Sequence, residues 1–105
     1  MLDRRGSPRE QVFLTGLLVF GEGRTAPCII VDRSETGFRI KLLEDVELPD
    51  RFGLIDLVAG VGHQGLAVWR NAPLAGARKL ESFDLREPQV GPGLILQAAW
   101  RAALA

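Results

Sequence analysis

The run Gly37-Phe38-Arg39-Ile40-Lys41-Leu42 alternates apolar and basic side chains. Successive side chains of a β-strand point to opposite faces, so the pattern predicts Phe38, Ile40 and Leu42 against a core and Arg39 and Lys41 toward water. A strand buried on one face needs neighbours, and strand-like runs flank it on both sides. Residues 11–21 are rich in Val, Phe, Leu and Thr, and residues 24–32 carry Cys28-Ile29-Ile30-Val31. Gly21-Glu22-Gly23 between them is a turn signal. Downstream, strands are predicted at 51–58 and 64–70, with Gly60-Val61-Gly62-His63 as a hairpin loop, and a weaker run from Leu74 to Leu80 is the last strand expected. Short strands at close spacing, joined by Gly and Pro turns, predict an all-β domain, either an antiparallel barrel or a sandwich.

The ends of the chain differ from this pattern. Residues 1–10 are polar and charged, with Gly6 and Pro8, and predict a flexible basic arm. Residues 81–91 read as a charged linker containing Pro88 and Gly91. After Gly91-Pro92-Gly93, the Ala- and Leu-rich run from Leu94 to Leu104 predicts a C-terminal helix. Gln97 and Arg101 share one face of it and the rest is apolar. Such a helix is expected to bury most of its circumference, over an open end of the sheet or in a homodimer with a second copy. The expected organisation is an arm at 1–10, the strands at 11–80, and linker plus helix at 81–105.

Composition narrows the function classes. The chain has 105 residues, 47% of them hydrophobic and 25% charged, which suits one globular domain. Thirteen basic and thirteen acidic residues cancel. A neutral chain argues against a nucleic acid polymer as partner, since that binding draws on many uncompensated Lys and Arg. The 7% aromatic content also argues against a single-strand binder, which needs exposed rings along a basic groove. Any anion site is therefore expected to be local. The single cysteine, Cys28, allows no intramolecular disulfide. The start Met1-Leu2-Asp3-Arg4-Arg5 has no secretory pattern, and the apolar run Val12 to Phe20 is too short to span a bilayer. A cytoplasmic protein without membrane insertion is the expectation.

Two short motifs carry chemistry. Arg5-Gly6-Ser7-Pro8-Arg9 puts two arginines on the arm, and Asp32-Arg33-Ser34-Glu35-Thr36-Gly37 puts a carboxylate, a hydroxyl and a glycine on a tight loop. Arginine forks grip phosphate oxygens or the O6/N7 edge of guanine, and a carboxylate accepts from guanine's N–H groups. Alone, the first motif reads as a solvated basic terminus and the second as an Asx or Ser turn. In this order, with strand-like sequence between them, they suit a small anionic ligand with a purine edge.

The two motifs match Arg-x-x-x-Arg and [Asp/Asn]-x-Ser-x-x-Gly, and over residues 3–80 the chain resembles the PilZ domain, a bacterial receptor module for cyclic di-GMP. Leu48-Pro49-Asp50-Arg51-Phe52 and Val68-Trp69-Arg70 also resemble stretches common in that family. The resemblance implies a six-stranded antiparallel β-barrel of split-barrel type with a C-terminal helix, and a ligand that often binds as a stacked pair. It implies that Arg5 and Arg9 embrace phosphates and guanine edges, with Arg4 as a third contact. Asp32 and Ser34 would contact guanine, and Gly37 would turn the chain and admit the ligand. The implied role is a non-enzymatic receptor without cofactor, signalling to an effector protein through ordering of the arm. The alternative is a degenerate PilZ-like barrel that acts as a ligand-independent protein interaction module. One departure stands out: Ala75-Gly76-Ala77-Arg78-Lys79-Leu80 keeps the family's glycine but lacks its nearby aromatic, which puts the packing of the last strand in question.

The remaining chemistry-bearing residues point elsewhere. His63, the only histidine, lies among glycines in a predicted turn and is expected at the surface. One His and one Cys do not make a usual metal site. Ser34 has no evident base, and Cys28 reads as core packing. Glu44, Asp45, Glu47 and Asp50 read as a solvated acidic turn. Trp69 and Trp100 are expected as packing anchors, with Trp100 the better candidate for an interface.

Overall fold

A computed structural model describes residues 8–21 and 23–105. The alternating run forms β3 (Gly37–Leu42), as its pattern requires, with Phe38 and Ile40 buried and Lys41 exposed. It lies between β2 (Arg24–Arg33) and β6 (Leu74–Asp84). β1 (Glu10–Phe20), β4 (Arg51–Asp56) and β5 (Val61–Asn71) complete an antiparallel sheet in the order β1-β2-β3-β6-β5-β4. The sheet closes in a ring because Gly16–Val19 of β1 pair with Gly53–Asp56 of β4. Every strand thus has a partner on both sides, which removes the unsatisfied edges of an open sheet.

Two clusters fill the molecule. Leu18, Ile30, Phe38, Ile40, Phe52 and Leu54 meet inside the ring together with the Cys28 side chain. Val19, Ile55, Leu85 and Leu96 form a second cluster beneath α1 (Pro92–Leu104). Burial pushes the Cys28 thiol up to about 12, since a thiolate would have no water there.

Four expectations need correction. The segment Val61-Gly62-His63 is not a loop: β5 starts at Val61, and the turn lies before it at residues 57–60. His63 is consequently buried, with its ring centroid 4.6 Å from that of Phe38 and its Nδ1 2.7 Å from Ser82 Oγ. The last strand runs to Asp84, so residues 81–84, expected in the linker, belong to the sheet. Finally, within a single copy of the chain α1 buries a stripe rather than most of its surface. Leu96 and Gln97 face inward, while Leu94, Ile95 and Leu104 are exposed. Alanine favours helix by propensity and not by need for burial, so an Ala-rich helix tolerates a wet face.

The helix is pinned by polar contacts as well as by Leu96. Gln97 Nε2 donates to the carbonyls of Leu85 at 2.8 Å and Glu87 at 2.9 Å, and Trp100 Nε1 donates to the Leu57 carbonyl at 2.9 Å. Trp100 is therefore an anchor within the chain, and Trp69 is the more exposed indole. No helix among the described residues is long and apolar enough to cross a membrane.

Candidate functional site

The outer face of β3, β6 and β5 carries a groove of about 420 Å³. Arg9, Thr36, Gly37, Arg39, Trp69 and Arg78 are among the residues that line it. Two irregularities in the strand pairing build its walls. Between Ile30 and Asp32 the β2–β3 register shifts by one, so Asp32 stands across from Arg39 instead of Phe38. Between Ala67 and Trp69 the β5–β6 register shifts in the same way, and Trp69 stands across from Gly76. A β-bulge re-aims the side chain that follows it, and here each one brings a polar or aromatic group onto the outer face.

Gly76 makes room for the indole. A Cβ on Gly76 would sit 2.1 Å from Trp69 Nε1, so any larger residue would displace the ring. The stretch Ala75–Leu80 has no aromatic, but β6 as a whole carries Phe83, which packs against the second core cluster. Gly37 answers a different demand: a Cβ there would meet the Ala77 carbonyl oxygen at 2.4 Å. It permits close approach of β3 and β6 at the mouth of the groove.

The motif residues divide by location. Arg9 reaches back from the arm, and its Nε donates to Asp32 Oδ1 at 2.5 Å. Arg39 Nη2 donates to the other carboxylate oxygen, Asp32 Oδ2, at 3.2 Å. The Asp32 side chain is 6% exposed, against 49% for Arg9 and 42% for Arg39. Glu10, the first residue of β1, accepts from Arg33 Nε at 2.9 Å and joins the start of β1 to the end of β2. Ser34 holds the turn. Its Oγ accepts from the amides of Thr36 at 3.3 Å and Gly37 at 3.2 Å, and its own amide donates to the Gly37 carbonyl at 2.9 Å. Arg9 and Gly37 line the groove, whereas Asp32 and Ser34 support it from behind. Arg4 and Arg5 lie outside the described residues.

Arg39, Trp69 and Arg78 were not expected as site residues. Arg39 was legible as an outward-facing base on β3, but its partnership with Asp32 depends on the bulge. Arg78 stands across from Gly37 in the β3–β6 register. The lining thus holds three guanidinium groups and an indole with no carboxylate among them. Beside it, Lys79 Nζ lies 4.9 Å from the centroid of the Phe38 ring. Partial burial holds the Lys79 ammonium below its ordinary range, helped by the charge of Arg33 and opposed by Glu35.

His63 and Ser82 make a hydrogen-bonded pair but neither lines the groove. Burial, with a smaller push from the Lys79 charge and an opposing pull from Asp56, lowers His63 to about 4. It is a neutral core residue at neutral pH. No group of three or more His, Cys, Asp or Glu among the described residues is arranged to hold a metal ion. Comparison with protein-family models gives no match, and comparison with curated protein sequences gives none.

Proposed function

We propose that this chain is a non-enzymatic, PilZ-like receptor domain for cyclic di-GMP, with its closed sheet acting as a split β-barrel. The observation that carries the reading is the meeting of the two motifs: Arg9 of the arm is bonded to Asp32, near the end of β2, at the rim of a cationic groove with an indole wall. A ligand with two phosphodiester charges and two guanines matches that chemistry. Guanidinium forks accommodate phosphate and the guanine O6/N7 edge, and an indole offers a stacking face. Micromolar binding requires about −8 kcal/mol. Bidentate arginine contacts supply about 1–3 kcal/mol of base discrimination each, while ordering each residue of an arm costs about 1–2 kcal/mol. Arg4, Arg5 and Arg9 therefore both bind and set the cost of binding. The signal passed to an effector protein is the ordered position of the arm.

Calorimetric titration with cyclic di-GMP, against linear and cyclic di-AMP controls, tests this. The double substitution Arg5→Ala/Arg9→Ala is expected to abolish measurable binding, and unchanged affinity in that variant would remove these residues from the site.

A second reading is favoured by one observation, the exposed Leu94, Ile95 and Leu104 on α1. In that reading the domain is a ligand-independent interaction module, and a folded sample that fails to bind cyclic di-GMP at high concentration supports it.

A further inference from the structure

We propose that Arg39 is a ligand-contacting residue of the groove and that Asp32 is a positioning residue, which holds Arg9 and Arg39 as a pair and does not read the base. The proposal rests on the cyclic di-GMP reading above and departs from the guanine contact that the family resemblance assigns to Asp32.

Three observations carry it. Both carboxylate oxygens of Asp32 are engaged, Oδ1 by Arg9 and Oδ2 by Arg39. The Asp32 side chain is almost wholly buried and does not line the groove, whereas both arginines do. To accept from guanine N1–H and N2–H, the carboxylate would have to move outward from its buried place behind the two arginines, since it does not itself line the groove. Each arginine, in contrast, spends only one donor on Asp32 out of the five its guanidinium carries. The remaining donors belong to half-exposed groups on the groove wall.

The surroundings of Arg39 fit a base-reading role. It stands between Asp32 on β2 and Gly76 on β6 in the strand register, and the Trp69 indole crosses Gly76. A base stacked on Trp69 would have its edge toward the Arg39 fork. That fork donates, so it recognises the O6 and N7 acceptors of guanine and is repelled by the N6 amine of adenine. A carboxylate would instead read the 2-amino group. The two assignments thus make opposite demands on the base.

Cyclic di-IMP separates them, since hypoxanthine keeps O6 and N7 and lacks the 2-amino group. We titrate the full chain and its variants calorimetrically with cyclic di-GMP, cyclic di-IMP and cyclic di-AMP, with thermal melts to confirm folding. The wild type is expected to bind cyclic di-GMP and cyclic di-IMP within about threefold of each other and to reject cyclic di-AMP. Arg39→Ala is expected to lose about tenfold or more for the first two and to narrow the gap to cyclic di-AMP. Arg39→Lys keeps the charge without the fork, so it is expected to retain attraction to the ligand but not the discrimination. Asp32→Ala is expected to weaken cyclic di-GMP and cyclic di-IMP equally. In Asp32→Ala/Arg39→Ala the losses are expected to fall short of multiplying, because Asp32 acts through the arginines. Selective loss of cyclic di-GMP over cyclic di-IMP in Asp32→Ala, or wild-type affinity and selectivity in Arg39→Ala, would overturn the assignment. Failure of the folded wild type to bind any of the three would sink the receptor reading itself, and this proposal with it.

Discussion

His63 shows how a buried side chain converts acidity into instability. Its neutral ring packs on Phe38 and pairs with Ser82, and its folded-state value of about 4 lies below the 6.5 of an exposed histidine. Above pH 6.5 the ring is neutral in both states and stability does not depend on it. As pH falls from 6.5 toward 4, the unfolded chain takes up a proton that the folded chain refuses, so stability declines through that window and levels off below it. The loss is about 3 kcal/mol at the full shift. Urea unfolding at pH 7 and pH 4.5 is expected to show the decline in wild type and a shallower one in His63→Gln. Cys28 makes a complementary prediction. Its fully buried thiol is pushed up to about 12, so iodoacetamide at pH 8 is expected to label it only after unfolding. Rapid labelling of the native protein would contradict its place in the core.

At the scale of single elements, one position on β6 and one on α1 show how closely these elements pack. Gly76→Ala drives a methyl group into the Trp69 indole, which lies at the rim and is free to swing outward. The fold is expected to survive, with Trp69 emission shifted to the red in a Trp100→Phe background and, on the proposed receptor reading, affinity for cyclic di-GMP reduced. Leu96→Ala leaves a cavity between Val19, Ile55 and Leu85. It is expected to cost about 2–5 kcal/mol by denaturant unfolding. The elements also show what the sequence could and could not convey. β3 was legible because its two faces meet opposite solvents, and period two survives any context. Val61-Gly62-His63 misled because Gly-x-Gly imitates a turn; in the fold Gly62 sits on β5, where a Cβ would press on Leu96 of α1 at 3.0 Å and on Leu85. The burial of His63 follows from Ser82 and Phe38, neither of which is near it in sequence. Both motifs were legible, and Arg9 does meet Asp32. The partnership of Arg39 with Asp32 was not, since it depends on a one-residue register shift that leaves no mark in the residue types.

On the scale of the whole molecule, the neutral chain gathers guanidinium groups around one groove. The groove lining has three arginines and no acid, although the protein overall has equal numbers of basic and acidic residues. Outside the groove, Arg33 pairs with Glu10, Arg70 with Asp50 and Arg86 with Asp84, whereas Arg9 and Arg39 on its wall share Asp32. The helix has a comparable global role. It covers one end of the sheet through Leu96, Gln97 and Trp100, and its removal after Gln89 is expected to expose Val19, Ile55 and Leu85. Binding of a hydrophobic dye at neutral pH by the truncated chain, absent in the full chain, checks this.

The strand order has a consequence for synthesis on the ribosome. β6, the last of this sheet's six strands to be made, is inserted between β3 and β5, which were made earlier and are not paired with each other. In a nascent chain that has emerged only through Asn71, any sheet made in this order from the first five strands would leave β3 and β5 as margins, each unpaired on one side. Such margins template association with other chains. The final stave therefore does more than complete the wall that carries Gly76 and Arg78: until it slots in, the half-made protein is at its stickiest.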